Sequence, residues 1–176
     1  MRSPVDKHKL QAFFEAIGKS SKGSGRVYIV GGSTALLLGV RDQTVDIDIK
    51  LDPEPLGVFD SIAFIKENLS VNVELASPDQ FVPALNGWRE RCEYIGKWGQ
   101  VEFFHYDFYG QAFSKIVRGH AVDISDVKAL VSLRKVDLDI LEKLFLEVLP
   151  SMNRYPALDM KTVTYQMKSF IEAERI

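Results

Sequence analysis

A single cysteine, Cys92, stands in the 176 residues, so no disulfide can close within the chain and a disulfide-stapled miniprotein is excluded. The three histidines, His8, His105 and His120, are scattered, and with one cysteine they make no zinc-ligand spacing. Long hydrophobic runs are missing too. Stretches such as Ala35 to Leu38 are far too short to span a bilayer, and no membrane partner is expected. The opening MRSPVDKHK has no apolar core of a secretory signal, which makes the cytoplasm the expected compartment. Neither sign of charge dominates. Lys plus Arg number 22 against 24 Asp plus Glu, a net charge of -2, so bulk electrostatics gives no case for tight duplex binding. A locally basic cleft remains compatible with that balance. Repeats and low-complexity segments are also absent. What is present is ordinary for a globular chain: 46% hydrophobic and 26% charged residues, too apolar for intrinsic disorder. The length suits one domain, or one domain with an appendage, and needs no staple to bury a core.

Hydrophobic spacing divides the chain into two characters. Leu10, Phe13, Phe14 and Ile17 recur at helical intervals and predict an amphipathic helix over 5–17. After the Lys/Ser/Gly stretch 19–25, Arg26–Val30 reads as a short strand. Gly31 and Gly32 break it, and 33–38 reads as a short helix ended by Gly39. Over 44–51, Val45, Ile47 and Ile49 alternate with Asp46, Asp48 and Lys50, the pattern of a strand with one polar face. Pro53 and Pro55 close it. A helix over 56–69 and a third strand over 71–75 follow, then a loop marked by Pro78 and Pro83. Strands are expected at 92–95 and 100–106, joined through Gly96-Lys97-Trp98-Gly99 as a hairpin. From Phe108 onward every pattern is helical: 108–118, 124–133, 138–149 and 160–173. The fold class expected is therefore α/β (α+β), a small mixed sheet flanked by helices. Residues 1–107 form the core with its N-terminal helix, and 108–176 a helical subdomain packed on it.

The chemistry is concentrated in VYIVGGSTALLLGVRDQTVDIDIKL, residues 27–51. Gly31 and Gly32 put no side chains in the way of a ligand approaching the backbone. Backbone N–H groups at the following helix start favour an anion such as phosphate, and the Ser33 hydroxyl can add a hydrogen bond. Asp46 and Asp48 are two apart on a strand, so they face the same way. Carboxylates held together need compensation, and a hard divalent cation such as Mg²⁺ supplies it with oxygen ligands. A phosphate cradle beside a carboxylate pair is what two-metal nucleotidyl transfer requires. Each feature also has an ordinary structural meaning, a solvated strand face or a common turn. Their ordered combination, with twelve residues (34–45) between Ser33 and Asp46, is much rarer.

This pattern resembles the signature of the DNA polymerase beta-like nucleotidyltransferase superfamily. The resemblance implies a sheet of the nucleotidyltransferase type, with Gly31, Gly32 and Ser33 on the triphosphate and Asp46 and Asp48 on one or two Mg²⁺ ions. It also implies a third carboxylate on a neighbouring strand. Glu74, in Val-Asn-Val-Glu-Leu, is the first candidate for it and Glu102 the competitor. In the second half, Phe113-Ser114-Lys115-Ile116-Val117-Arg118 and Asp123-Ile124-Ser125-Asp126-Val127 are similar to motifs of AbiEii-type nucleotidyltransferase toxins and related bacterial proteins. The segment 153–159 is similar to the same relatives. On that likeness Lys115 would bind the triphosphate and Asp126 would take part in catalysis. The residues themselves allow that Asp123 is an N-cap, that Asp126 orients Lys115 or the acceptor, and that Arg118 lies on a solvated helix face. Trp88 and Trp98 flank Arg89, Arg91 and Lys97. Aromatics among basic residues can stack on bases, though half-buried packing is their commoner use. Asp137-Leu138-Asp139 opens a helix and reads as complementing its dipole.

The leading expectation is a Mg²⁺-dependent nucleotidyltransferase. It would use an NTP and modify an acceptor such as an RNA 3′ end or a protein, as the toxin of a toxin–antitoxin pair with an antitoxin partner. The alternatives are a non-catalytic nucleotide- or partner-binding module on the same fold, and a small-molecule, antibiotic-type nucleotidyltransferase.

Overall fold

The computed structural model describes residues 3–176. Its first helix, α1 (Lys7–Ser20), starts where Asp6 accepts a hydrogen bond from the Lys9 backbone N–H at 2.8 Å, an N-cap that satisfies an otherwise orphaned donor. Its apolar stripe, Leu10, Phe13, Phe14 and Ile17, is buried. Next come β1 (Gly25–Val30), a short α2 (Gly32–Leu37), β2 (Asp46–Leu51), α3 (Val58–Leu69) and β3 (Asn72–Leu75). The strands β4 (Glu93–Trp98) and β5 (Val101–His105) complete one open five-stranded sheet, in the order β3-β2-β1-β5-β4. The sheet is mixed. β1 runs antiparallel to β2 and parallel to β5; β3 is parallel to β2, and β4 antiparallel to β5.

Strand alternation decides which face of this sheet is buried. Val27, Ile29, Ile47, Ile49, Val73, Val101 and Phe103 form one apolar core with the stripe of α1 and with Val58 and Ile65 of α3. Phe103 packs on Phe14, 4.6 Å away ring to ring, and on Trp98 at 5.3 Å, and those two rings are 4.8 Å from each other. Truncating so enclosed a ring to alanine costs about 3–5 kcal/mol. Trp98 thus serves packing, and Trp88 is likewise buried with the Arg89 guanidinium 4.5 Å over its ring.

By its internal contacts the chain divides into a sheet unit, up to Ser77 and again over Glu93–Tyr106, and a helical unit, Pro78–Cys92 and Asp107–Ile176. The helical unit holds α4 (Trp88–Arg91), α5 (Phe108–Arg118), α6 (Ala121–Ser132), α7 (Leu138–Val148) and α8 (Met160–Glu174). Its core includes Phe113 against Phe145, ring centroids 5.6 Å apart, with Val127, Leu141 and Met167. Asp107, fully buried, accepts from the Tyr109 N–H at the start of α5. It also takes a two-point contact from Arg91, Nε to Oδ1 at 3.0 Å and Nη2 to Oδ2 at 2.7 Å. Asp137 caps α7 by accepting from the Asp139 and Ile140 N–H groups. Among the described residues no helix is long and apolar enough to cross a membrane.

Two local expectations differ from the structure. The β4–β5 turn lies at Gly99-Gln100, with Gly96 inside β4. Gly96 sits at a register shift, and the Trp98 ring comes within 2.7 Å of where its Cβ would be, so it marks a bulge rather than a turn. Asp123 is not the cap of α6, whose N-cap is His120; it stands in the first turn and binds cations instead.

Candidate active site

The two aspartates project from β2 because their neighbours Ile47 and Ile49 are fully buried on the other face. Register then places them. Val30, the last residue of β1, pairs with Asp48, so the glycine turn emerges beside that carboxylate. Gly31 has φ 66° and ψ -133°, a backbone conformation that L side chains rarely adopt. A Cβ there would stand 2.8 Å from Asp48 Oδ2. At Gly32 a Cβ would overlap the Thr44 hydroxyl and come 3.4 Å from the Arg41 guanidinium. Both glycines are therefore fixed by side chains that crowd the turn, and one of those side chains is Asp48.

The turn is also tied to β2 from beneath. Ser33 is fully buried, and its hydroxyl lies 3.4 Å from the Asp46 carbonyl oxygen, as does that of Thr44. Thr34 donates to the Ile29 carbonyl at 3.1 Å and meets His105 Nδ1 at 3.2 Å. The Ser33 side chain thus serves the hinge itself.

β3 brings the next polar groups. In its parallel pairing with β2, Asn72 is the partner of Asp46 and Glu74 the partner of Asp48. Asp46, Asp48, Asn72 and Glu74 accordingly share the sheet face opposite Ile47, Ile49 and Val73. The Asn72 side-chain amide donates to Asp46 Oδ1 at 2.8 Å and to Glu74 Oε1 at 2.9 Å. Glu102, the other candidate for a third carboxylate, lies on β5, beyond β1 from the aspartates. It pairs with Arg26 at 3.6 Å, its cross-strand neighbour.

Among the described residues, no three His, Cys, Asp or Glu side chains form a ready-made metal cage. The donors on this face are nonetheless hard oxygens, with two aspartates on one strand. That suits Mg²⁺, which is ordinarily held by one or two carboxylates together with waters and substrate phosphates rather than by an all-protein cage.

Lys115 and Asp126 belong to the helical unit, where they are paired with each other. Lys115 Nζ, on a side chain 6% exposed, lies 2.7 Å from Asp126 Oδ2 and 3.1 Å from Asp123 Oδ1. Two of its three N–H donors are engaged in this way. Arg118 Nη2 reaches Asp123 Oδ1 at 2.9 Å from a half-exposed position. The spacing of the two motifs in sequence thus corresponds to a buried ion network joining α5 to α6.

Sequence reasoning passed over Asn72, Arg41 and Thr44. Asn72 carries the same period-2 signal as Glu74, since the two alternate with Val71, Val73 and Leu75 on one strand. Arg41 and Thr44 lie in the loop between turn and strand, where no periodicity marks them.

An open mixed sheet, with a Gly-Gly-Ser hinge after one strand and an Asp-X-Asp strand beside it, defines a nucleotidyltransferase-like fold. The chain belongs to the family described as "nucleotidyltransferase of unknown function" (DUF6036), whose model matches residues 8–175. That description names an activity class without substrate, metal or partner. No curated protein and no solved structure matches the chain.

Proposed function

We propose that this protein is a Mg²⁺-dependent nucleotidyltransferase that moves a nucleoside monophosphate from an NTP to an acceptor hydroxyl. The observation that carries the reading is the contact of the Asp48 carboxylate with Gly31, which puts the acidic strand directly beside a turn stripped of side chains. Gly31 and Gly32 let a polyphosphate approach the backbone, and Arg41 beside Gly32 offers a cation for its oxygens. Asp46 and Asp48 would hold one or two Mg²⁺ ions, with Glu74 on the adjacent strand as third carboxylate. An ion held by these carboxylates would supply the charge that lowers the pKa of the acceptor hydroxyl and offsets that of the leaving pyrophosphate. The chain's own part is positioning: the hinge fixes the phosphates and β2 fixes the carboxylates, both on regular elements tied together through the Asp46 carbonyl.

An RNA 3′ end or a protein side chain is the acceptor in this reading, and the biological role is that of a toxin restrained by a partner protein. A second reading is a module that binds nucleotide without turnover. It is favoured by the carboxylates themselves, since among the described residues no three of them form a ready-made metal cage.

The test is incubation with each α-labelled NTP, Mg²⁺ and total cellular RNA and protein. Labelling of one macromolecule is expected, and Asp46→Asn, nearly isosteric, should keep the fold and abolish it. Retained transfer in that variant removes the carboxylate site. Nucleotide binding in calorimetry with no labelled acceptor supports the second reading.

A further inference from the structure

We propose that Asn72 is the positioning residue of this carboxylate site: its amide fixes one oxygen each of Asp46 and Glu74, keeping the second oxygen of each for a divalent cation. The inference rests on the reading above of Asp46 and Asp48 as the cation site. The geometry behind it is specific. Asn72 is the Cα partner of Asp46 across the β2–β3 pairing, and Glu74 is two residues further along the same strand and face. One neutral amide bridges the two carboxylates. A primary amide has two N–H donors, and here one goes to Asp46 Oδ1 at 2.8 Å and one to Glu74 Oε1 at 2.9 Å. The orientation of the amide is dictated by its partners. Ionised carboxylates only accept, so the flipped amide would set oxygen against oxygen on both sides.

A carboxylate has two oxygens, and hydrogen bonding to one of them holds the other in place. Such outer partners of metal-binding carboxylates typically set metal affinity by about 10- to 100-fold. An asparagine that merely joined β3 to β2 would act on stability and leave cation affinity unchanged. The two roles therefore separate in different measurements.

The experiment is a Mn²⁺ titration of the full chain followed by electron paramagnetic resonance, with thermal unfolding measured alongside without metal. Wild type, Asn72→Leu, Asn72→Gln and Asp48→Asn are compared. Leucine matches the shape of asparagine and has no donor; glutamine restores a donor on a longer arm. Wild type should bind Mn²⁺ and Asp48→Asn should not. Asn72→Leu should bind about 10- to 100-fold more weakly, with a metal-free melting temperature close to that of wild type, and Asn72→Gln should recover part of the affinity. Asn72→Ser, too short to reach both carboxylates, gives the same comparison if the leucine variant fails to fold. Wild-type affinity in Asn72→Leu, with binding still lost in Asp48→Asn, overturns the role of Asn72 and keeps the cation site. Absence of Mn²⁺ binding to wild type, or unchanged binding in Asp48→Asn, overturns the cation site and the role of Asn72 with it.

Discussion

The carboxylate of Asp48 lies against the backbone of Gly31, with Oδ2 2.8 Å from the point where a side chain at that glycine would begin. A strand residue and a turn residue, seventeen positions apart (48 - 31), are thereby made to depend on each other. The register that pairs Val30 with Asp48 produces the contact.

Gly31→Ala should therefore fail in two ways. It puts an L side chain into a strained backbone conformation at φ 66°, and it drives a methyl group into the carboxylate. Gly39 separates the two effects. It also has positive φ, at 76°, but nothing lies within 4 Å of where its Cβ would be. Both alanine variants should lose about 1 kcal/mol or more in denaturant unfolding. Only Gly31→Ala should also lose metal-dependent nucleotide binding. Equal binding in the two variants would show that the Gly31–Asp48 contact has no bearing on the site.

Lys115→Met removes the cation that faces both Asp123 and Asp126. Leaving a buried carboxylate without its partner costs about 3–5 kcal/mol. Arg118, with 46% of its side chain exposed, makes a screened contact, and Arg118→Ala should cost at most about 1 kcal/mol. A Lys115→Met, Asp126→Leu double variant should recover much of the loss, because the uncompensated charge goes with the cation. Denaturant unfolding of the three variants checks the order. A Lys115→Met chain as stable as wild type would mean that the ion network does not support the fold.

Cys92 is half-buried, with its Sγ 3.2 Å from the Trp88 carbonyl oxygen. Burial, with the nearby Asp107 charge adding to it, pushes the thiol up to about 12. The fold thus favours the protonated thiol. That contribution to stability is complete below the ordinary thiol value of 9.0 and is lost as pH rises from there through about 12. Alkylation of Cys92 near pH 8 should be much slower than that of a free cysteine peptide. The stability difference between wild type and Cys92→Ala should shrink above pH 9. A reaction rate that breaks at an ordinary thiol value would contradict the burial argument.

The legible parts of the sequence were those set by short-range periodicity. The bounds expected for α5, Phe108 to Arg118, are the observed ones, because its apolar spacing and the following Gly119 both act within the helix. The alternation marks β2, but the strand begins at Asp46 rather than at position 44. Thr44 is taken up instead in an isolated bridge with Val5, a partner far away in the chain. Gly96 looks like a turn residue in the sequence because glycine in a turn and glycine in a bulge differ only in what surrounds them, here the Trp98 ring. The four residues of α4 are too few to show a period. At the site, the Gly-Gly turn and the Asp-X-Asp strand were visible because each is local. The pairing of Asn72 with Asp46, and of Lys115 with Asp123 and Asp126, depends on register and helix packing, which no single stretch of sequence states.

The claim on which the account rests is that Asp46 and Asp48 hold a cation against phosphates lying on the Gly31-Gly32 turn. Calorimetric titration of each NTP into wild type, with and without Mg²⁺, and into Asp48→Asn with Mg²⁺, tests it directly. The account predicts binding to wild type that requires Mg²⁺ and disappears in Asp48→Asn while the variant's unfolding curve stays that of wild type. NTP binding of equal strength without metal, or undiminished in Asp48→Asn, would contradict it.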